Sequence, residues 1–153
     1  MQGLPHRYVA TATAEEHGEV ALETAGVSSL LSAPPIAFDG PGDRWSPETL
    51  LVAAVGDCFV LTFRAIARAS ALRFESLSCE VAGTLDRVGG VTRFTRFDIR
   101  ARLVLPEDGD PEKARRLLEK AERGCLVSNS LNAEIRLAIE IERGATVRPL
   151  VSA

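Results

Sequence analysis

Three cysteines are the residues of this sequence whose chemistry needs explaining, because a thiol either packs as a small apolar side chain or reacts. They stand at positions 58, 79 and 125. An odd number at these spacings does not resemble a disulfide framework. The sequence has only two histidines, His6 and His17, so no zinc-ligand spacing is present. In a reducing compartment these thiols are packing residues or reactive groups.

The surroundings of the cysteines differ. Cys79 alternates in phase with apolar neighbours on a predicted strand, which favours a packing role. Cys58 lies on an apolar helical segment near Gly56; a glycine there costs about 1 kcal/mol relative to alanine, which indicates the close approach of a substrate or another backbone. Cys125 directly follows Gly124, where a helix should end. Taken singly, Cys58 and Cys125 also fit the buried packing typical of free cysteine.

Alternating apolar residues predict most of the strands. A hairpin is expected over 7–14 and 19–25, with a third strand over 27–38 that Pro34-Pro35 interrupts. The remaining strands are expected over 74–85, 91–105 and 135–141. Arginines on the strand over 91–105 predict a solvated outer face.

Two helices separate these strands. Ser46-Pro47 is a strong start for a long helix, which we expect to continue to Ala71. Asp110-Pro111 begins a second helix by the same logic. Because hairpins join most strands, the order predicts an α+β fold with mostly antiparallel sheets. The length of 153 residues fits one domain, 1–153.

Two stretches resemble the motifs of one protein family. Residues 46–59, SPETLLVAAVGDCF, look like the central-helix signature of the OsmC/Ohr family, and residues 125–131, CLVSNSL, resemble its second-cysteine motif. The order of elements agrees with that family over about residues 8–142. The resemblance implies an OsmC-like α+β fold, an intertwined homodimer, and reduction of organic hydroperoxides or hydrogen peroxide.

The resemblance also implies roles for particular residues. Cys58 matches the peroxidatic cysteine, Cys125 the resolving cysteine and Glu48 the active-site glutamate. The usual places of the family's arginine hold other residues here, and Arg44 is the nearest candidate. The implied cycle needs a hydroperoxide substrate and an external dithiol reductant, and it needs no metal, flavin or nicotinamide cofactor.

The spacing of Glu48 and Cys58 bears on how such a site is assembled. They are ten residues apart, which on one continuous helix means a rise of roughly 15 Å and a rotational mismatch of about 80°. Glu48 therefore reaches the cysteine of its own chain only if the helix breaks. Two such helices crossing about a two-fold axis would bring Glu48 of one chain towards Cys58 of the other.

Composition and charge bear on partners and location. The net charge is −3 and aromatic residues make up 5% of the chain, so the basic and stacking surfaces of a nucleic-acid-binding protein are not evident. The stretch 50–63 is short for a membrane span and contains Asp57, which predicts no membrane insertion. No signal-peptide pattern is evident at the N-terminus, and we expect a cytoplasmic protein.

Two other interpretations stay open at this level. The chain could be a non-enzymatic module of the same fold that binds an apolar small molecule or senses redox state. It could also be a structural dimer with inert cysteines, although that leaves both motifs unexplained.

Overall fold

The computed structural model of the chain describes residues 3–144. The chain forms two compact units, of which the first ends at Leu51 and the second begins at Val52. The single domain predicted over 1–153 stays a prediction. The elements in chain order are β1 (Thr11–Thr13), β2 (Val20–Glu23), β3 (Leu30–Ser32), α1 (Pro47–Ala69), β4 (Ser76–Val88), β5 (Val91–Leu105), α2 (Pro111–Arg123), α3 (Leu126–Asn129) and β6 (Glu134–Arg143).

The first unit contains an antiparallel sheet of three short strands in the order β1-β2-β3. The strands predicted over 7–14 and 27–38 are wrong in extent, because β1 and β3 each have three residues. Proline has no N–H to donate to a ladder, so Pro34 and Pro35 end the third strand. The chain continues into a short 3-10 turn over Ile36–Phe38.

The predicted start of α1 is confirmed. The Ser46 hydroxyl accepts a hydrogen bond from the N–H of Thr49 at 3.2 Å, and the Thr49 hydroxyl accepts one from the N–H of Ser46 at 2.9 Å. This reciprocal cap satisfies two amides that the helix itself leaves unpaired. Pro47 occupies the first helical position, where its missing N–H costs nothing.

The end of α1 lies two residues before the predicted one, at Ala69 rather than Ala71. Ala71 has a positive φ of 49°, and the N–H of Leu72 donates to the Ala67 carbonyl at 2.9 Å. A left-handed residue with this backward hydrogen bond is a common way for a helix to stop. Within the second unit, α1 buries Val55, Phe59, Phe63 and Ala67, which recur at helical spacing.

The second unit contains a three-stranded sheet in the order β4-β5-β6. β4 and β5 form the predicted hairpin, with a register shift between Thr84 and Leu85. β6 pairs parallel to β5, because α2 and α3 return the chain to the starting end of the sheet. Three of the four strand pairings are antiparallel. The inner face of β5 is fully buried and consists of Phe97, Ile99, Ala101, Leu103 and Leu105.

The other face of this sheet is exposed and its arginines are paired, as the predicted solvated face requires. The ion pairs are Arg96–Asp98 at 2.7 Å, Arg100–Glu80 at 3.2 Å and Arg102–Glu142 at 2.8 Å. Exposed pairs of this kind contribute little to stability individually. The ion pairs place these arginines on a solvated face, as predicted.

Gly56 allows α1 to lie close to β4. A Cβ added at Gly56 would come 3.1 Å from a methyl group of Val81 and 3.9 Å from the Cys79 sulfur. A close approach at Gly56 was expected from a substrate or another backbone, but within the second unit it is strand side chains that approach. Val81 is β-branched and has little rotameric freedom to yield.

The short helix α3 was not predicted. α2 begins as expected, because the Asp110 carboxylate accepts a hydrogen bond from the Lys113 N–H at 3.0 Å, and it ends at Arg123 with Gly124 as its C-terminal cap. The chain then turns at Cys125, which is the N-terminal cap residue of α3. Four helical residues are too few to produce a periodic apolar pattern, so the sequence carried no signal for them.

Helix α1 also bears on the membrane prediction. By length and composition alone, α1 meets the criteria for a membrane span. Residues 50–63 are only part of a helix of 23 residues, so the length predicted for the apolar segment was too short. Core helices of soluble proteins pass the same test, and α1 buries one face in the second unit.

Candidate functional site

Cys58 lies on α1 in the second unit, with its side chain half-buried. Burial raises the pKa of this thiol, but four hydrogen bonds to the sulfur outweigh it. The donors are the Val127 backbone N–H, the Cys125 thiol, the Thr62 hydroxyl and the Leu126 backbone N–H. The pKa of Cys58 therefore lies below its ordinary value, because donors stabilise the thiolate more than the thiol.

Cys125 is fully buried at the start of α3. Its sulfur accepts a hydrogen bond from the Ser128 hydroxyl at 3.2 Å and lies 4.0 Å from the Val55 carbonyl oxygen. Burial raises the pKa of Cys125; the hydroxyl and N–H of Ser128 oppose that change, and the neighbouring Cys58 adds to it. The net pKa of Cys125 lies above its ordinary value.

The two thiols are in hydrogen-bonding contact with each other. Because the pKa of Cys58 is lowered and that of Cys125 is raised, Cys58 is the first of the two to ionise, and its sulfur accepts a hydrogen bond from the Cys125 thiol. Both are free thiols in the structure. Cys58 and Cys125 are far apart in the sequence, and α3 connects them in space. The backbone N–H groups of its first two residues donate to the Cys58 sulfur. A nucleophilic thiolate beside a second thiol is the arrangement that a dithiol–disulfide cycle needs.

Cys79 has a different environment. It lies on β4 and is half-buried. Burial, together with the charge of a nearby Cys125 thiolate, raises the pKa of Cys79 to about 11. Cys79 is therefore a neutral thiol at physiological pH, in agreement with the packing role predicted for it.

Glu48 lies in the first turn of α1, in the first unit. One of its carboxylate oxygens, Oε2, is buried and has no hydrogen-bond partner among residues 3–144. A buried oxygen acceptor without a donor is costly and calls for an explanation. The catalytic role predicted for Glu48 stays a prediction, and so does its placement beside the cysteine of a second chain.

Arg44 lies in the loop before α1, also in the first unit. Its guanidinium forms ion pairs with the carboxylates of Glu19 and Asp43 and is partly exposed. Within the described chain, a pair between Arg44 and Glu48 is not formed. The role of Arg44 as the site's arginine stays a prediction.

Sequence reasoning missed several groups that touch the two sulfurs. Thr62 follows Cys58 by four residues and Ser128 follows Cys125 by three. On a helix, residues three or four apart lie on one face, so the spacing of Thr62 was a usable signal. The spacing of Ser128 carried a signal only if α3 was known to exist. The backbone amides of Leu126 and Val127 carry no sequence signal at all.

The described residues also bear on metals. Across residues 3–144, no group of three or more histidine, cysteine, aspartate or glutamate side chains could hold a metal ion. The donors at the site are two thiols, two hydroxyls and backbone amides. The arrangement is suited to proton and sulfur chemistry.

Comparison with known proteins identifies the family. The family model described as OsmC-like protein matches residues 40–140. This range includes helix α1, Cys58 and Cys125. This chain belongs to the OsmC-like protein family. The family resemblance inferred from residues 46–59 and 125–131 is therefore confirmed.

The chain is also similar to a curated protein whose sequence is related over most of its length. The uncharacterised protein YmaD of Bacillus subtilis is 29% identical over 122 residues, covering 78% of this chain and 81% of YmaD. Its name assigns no activity.

Solved structures of OsmC-like proteins share the fold. An OsmC-like protein of unknown function from Vibrio cholerae has a TM-score of 0.82 at 21% identity, covering 88% of this chain and 99% of that one. An organic hydroperoxide resistance protein OsmC from Legionella pneumophila has a TM-score of 0.73 at 23% identity, covering 90% and 99%. The predicted α+β class, with a long helix and mostly antiparallel sheets, is confirmed.

Proposed function

We propose that this OsmC-like protein is a thiol-dependent reductase of organic hydroperoxides, with Cys58 as the peroxidatic and Cys125 as the resolving cysteine. The observation that carries the proposal is the contact between a thiol of lowered pKa and a buried thiol of raised pKa. The likeness to a protein named for organic hydroperoxide resistance supports the substrate class.

The first step takes place at the Cys58 sulfur. The thiolate attacks one oxygen of the peroxide, so that an S–O bond forms and the O–O bond breaks. The sulfur is oxidised to a sulfenic acid, and the peroxide is reduced to an alcohol that leaves with a proton from solvent. The amides of Leu126 and Val127 lower the pKa of the Cys58 thiol and so favour the thiolate that attacks.

The second step joins the two cysteines. The Cys125 sulfur attacks the Cys58 sulfur, the S–S bond forms, and the S–O bond breaks with loss of water. An external dithiol then reduces the disulfide through a mixed disulfide. The Cys58 and Cys125 side chains interact with each other before the reaction, so the attacking sulfur lies on the correct side of the site.

The proposal includes a second copy of the chain and a cytoplasmic location. In it, Glu48 of one chain orients a guanidinium beside Cys58 of the other, and Arg44 is the candidate for that guanidinium. An unpartnered buried carboxylate oxygen on Glu48 is consistent with a donor supplied by another chain. A bidentate glutamate–arginine pair is a strong and geometrically specific contact.

The decisive experiment is stopped-flow mixing of the reduced protein with cumene hydroperoxide. We expect rapid consumption of about one peroxide per Cys58, and loss of that phase in Cys58→Ser. Cys79→Ser is the matched control and should retain the wild-type rate, because Cys79 is a neutral thiol at the assay pH. Equal rates for Cys58→Ser and the wild type would contradict the enzyme and favour a small-molecule-binding or redox-sensing module.

A further inference from the structure

Ser128 contacts the sulfur of Cys125 with two different groups. Its hydroxyl oxygen lies 3.2 Å from the Cys125 sulfur, and its backbone N–H also donates to that sulfur. Both residues are buried, Ser128 at 5% exposure and Cys125 at 0%. Among the described residues from Val52 onward, Ser128 is the one buried polar side chain.

Placing a hydroxyl there has a cost that packing does not explain. A buried hydroxyl must find a hydrogen-bond partner, and a neutral thiol is a weak acceptor. A thiolate is a much better acceptor, because hydrogen bonds to charged groups are stronger. The hydroxyl of Ser128 is therefore most useful when Cys125 carries negative charge.

We propose that Ser128 is a catalytic group of the resolving step, holding the Cys125 sulfur in place and stabilising its negative charge during attack on the Cys58 sulfenic acid. This inference rests on the proposed function. In the step, Cys125 gives up its proton, its sulfur forms the S–S bond with Cys58, and the sulfenic oxygen leaves as water. The oxidant for the thiol pair is the hydroperoxide, which oxidised the Cys58 sulfur by two electrons in the first step.

The local backbone fixes this contact. Cys125 is the N-terminal cap of α3 and Ser128 is its third residue, so a single helical turn brings the two side chains together. The titratable groups that face Cys125 are Cys58 from α1 and Cys79 from β4. Both would repel a Cys125 thiolate when ionised, which leaves Ser128 as the side chain that opposes them.

The test separates peroxide consumption from disulfide formation in a single turnover. Reduced protein is mixed with cumene hydroperoxide, and rapid-quench alkylation with mass spectrometry follows the disulfide. In Ser128→Ala we expect peroxide consumption within about twofold of the wild type and disulfide formation about tenfold slower, which corresponds to losing one charge-assisted hydrogen bond. Dimedone should trap more sulfenic acid on Cys58, and Ser128→Thr should restore much of the rate.

Ser130→Ala is the matched control. The Ser130 hydroxyl donates to the Leu126 carbonyl at 2.8 Å, so this variant also removes a hydroxyl beside α3 but none from a sulfur. It should form the disulfide at the wild-type rate. If Ser128→Ala resolves as fast as Ser130→Ala, the proposal is wrong.

A second measurement does not depend on peroxide chemistry. In the Cys58→Ser, Cys79→Ala background Cys125 is the remaining thiol, and the pH dependence of its thiolate absorbance reports its pKa directly. Adding Ser128→Ala should move the midpoint to higher pH; an unchanged midpoint would overturn the role of Ser128. If the wild type consumes no peroxide while this midpoint still moves, the proposed function fails and the interaction of Ser128 with the thiolate stands.

Discussion

At the scale of single residues, three cysteines of one chain have three different acidities. The difference follows from the number of donors that reach each sulfur. Cys58 receives two amides, a thiol and a hydroxyl, Cys125 receives both groups of Ser128, and for Cys79 burial dominates. Burial alone raises a thiol pKa, and directed donors reverse that effect. Local hydrogen bonding thus determines which of the three thiols is the most acidic.

The first prediction concerns which thiols become linked. After one equivalent of cumene hydroperoxide, peptide mapping should show a reversible Cys58–Cys125 disulfide. Cys79 should be alkylated only in denaturant, because it is half-buried and its pKa is about 11. Cys125→Ser should complete one turnover and then over-oxidise at Cys58 to the sulfinic acid. A map with Cys79 in the disulfide would contradict the two-cysteine cycle.

The second prediction concerns Thr62. Thr62→Val keeps the shape of the side chain and removes the hydroxyl that donates to the Cys58 sulfur. The pKa of Cys58 should rise, and alkylation of Cys58 at neutral pH should slow by about two- to tenfold, as expected for losing one hydrogen bond. The measurement is the pH dependence of iodoacetamide alkylation, whose acid limb should move to higher pH. A superimposable profile would show that Thr62 does not act on the thiolate.

The third prediction concerns the two charged residues of the first unit. If Arg44 provides the guanidinium of the site, Arg44→Ala raises the pKa of Cys58, because a nearby positive charge favours the thiolate. Glu48→Ala acts in the same direction but more weakly, since it only orients the arginine. Glu19→Ala is a useful control, because Glu19 is the present ion-pair partner of Arg44.

Alkylation profiles of Cys58 again provide the measurement. Identical profiles in the wild type, Arg44→Ala and Glu48→Ala would show that neither residue acts on the Cys58 thiolate. The arginine would then have to be sought at Arg7 or Arg64.

At the scale of elements, the site depends on the close packing of α1 and β4 within the second unit. Gly56 is buried at this contact, two residues before Cys58, and its missing side chain leaves room for Val81. Glycine has a low helix propensity at this position, but its missing side chain allows a short distance between α1 and the sheet. The same packing buries Cys79 beneath the helix.

The fourth prediction tests this packing. Gly56→Leu should lower the free energy of unfolding by about 1–3 kcal/mol, because a side chain would collide with Val81 in a closely packed contact. Ala69→Leu, at the exposed end of the same helix, should change it by no more than about 0.5 kcal/mol. Urea unfolding of both variants is the measurement, and equal stabilities would refute the close contact.

At the scale of the whole molecule, apolar side chains remain uncovered in both units. Of the most apolar 18-residue window of α1, 28% is buried. An apolar helix that its own chain leaves largely uncovered indicates an interaction surface. The exposed apolar side chains include Ile36, Phe38, Trp45, Leu61 and Leu126.

The fifth prediction follows from this exposure. The protein should be an obligate homodimer, with an interface upward of about 2,000 Å², the size typical of constitutive dimers. Sedimentation velocity at low micromolar concentration should show one dimeric species without a detergent requirement. A stable folded monomer would count against the dimer and against a site shared between two chains, and sedimentation only in detergent would count against the soluble dimer.

The sequence by itself determined the family, the fold class and the start of both long helices. These features depend on local information. Ser46-Pro47 and Asp110-Pro111 are helix caps whose hydrogen-bond donors lie within three residues. The family motifs, 46–59 and 125–131, are contiguous stretches of sequence. Strand positions in the second unit were also readable, because β5 and β6 alternate with a period of two. The length of β3 could not be predicted, because the alternating apolar pattern continues past the two prolines that end the strand.

Only the tertiary structure decided which thiol is acidic. The sequence around each cysteine predicts a role but not an acidity, because the acidity depends on burial and on the amides and hydroxyls that reach the sulfur through space. Most of those donors come from α3, which has four residues and is too short to produce a periodic pattern. Backbone N–H groups are identical at every non-proline residue, so their direction is fixed by the fold and is invisible in the sequence.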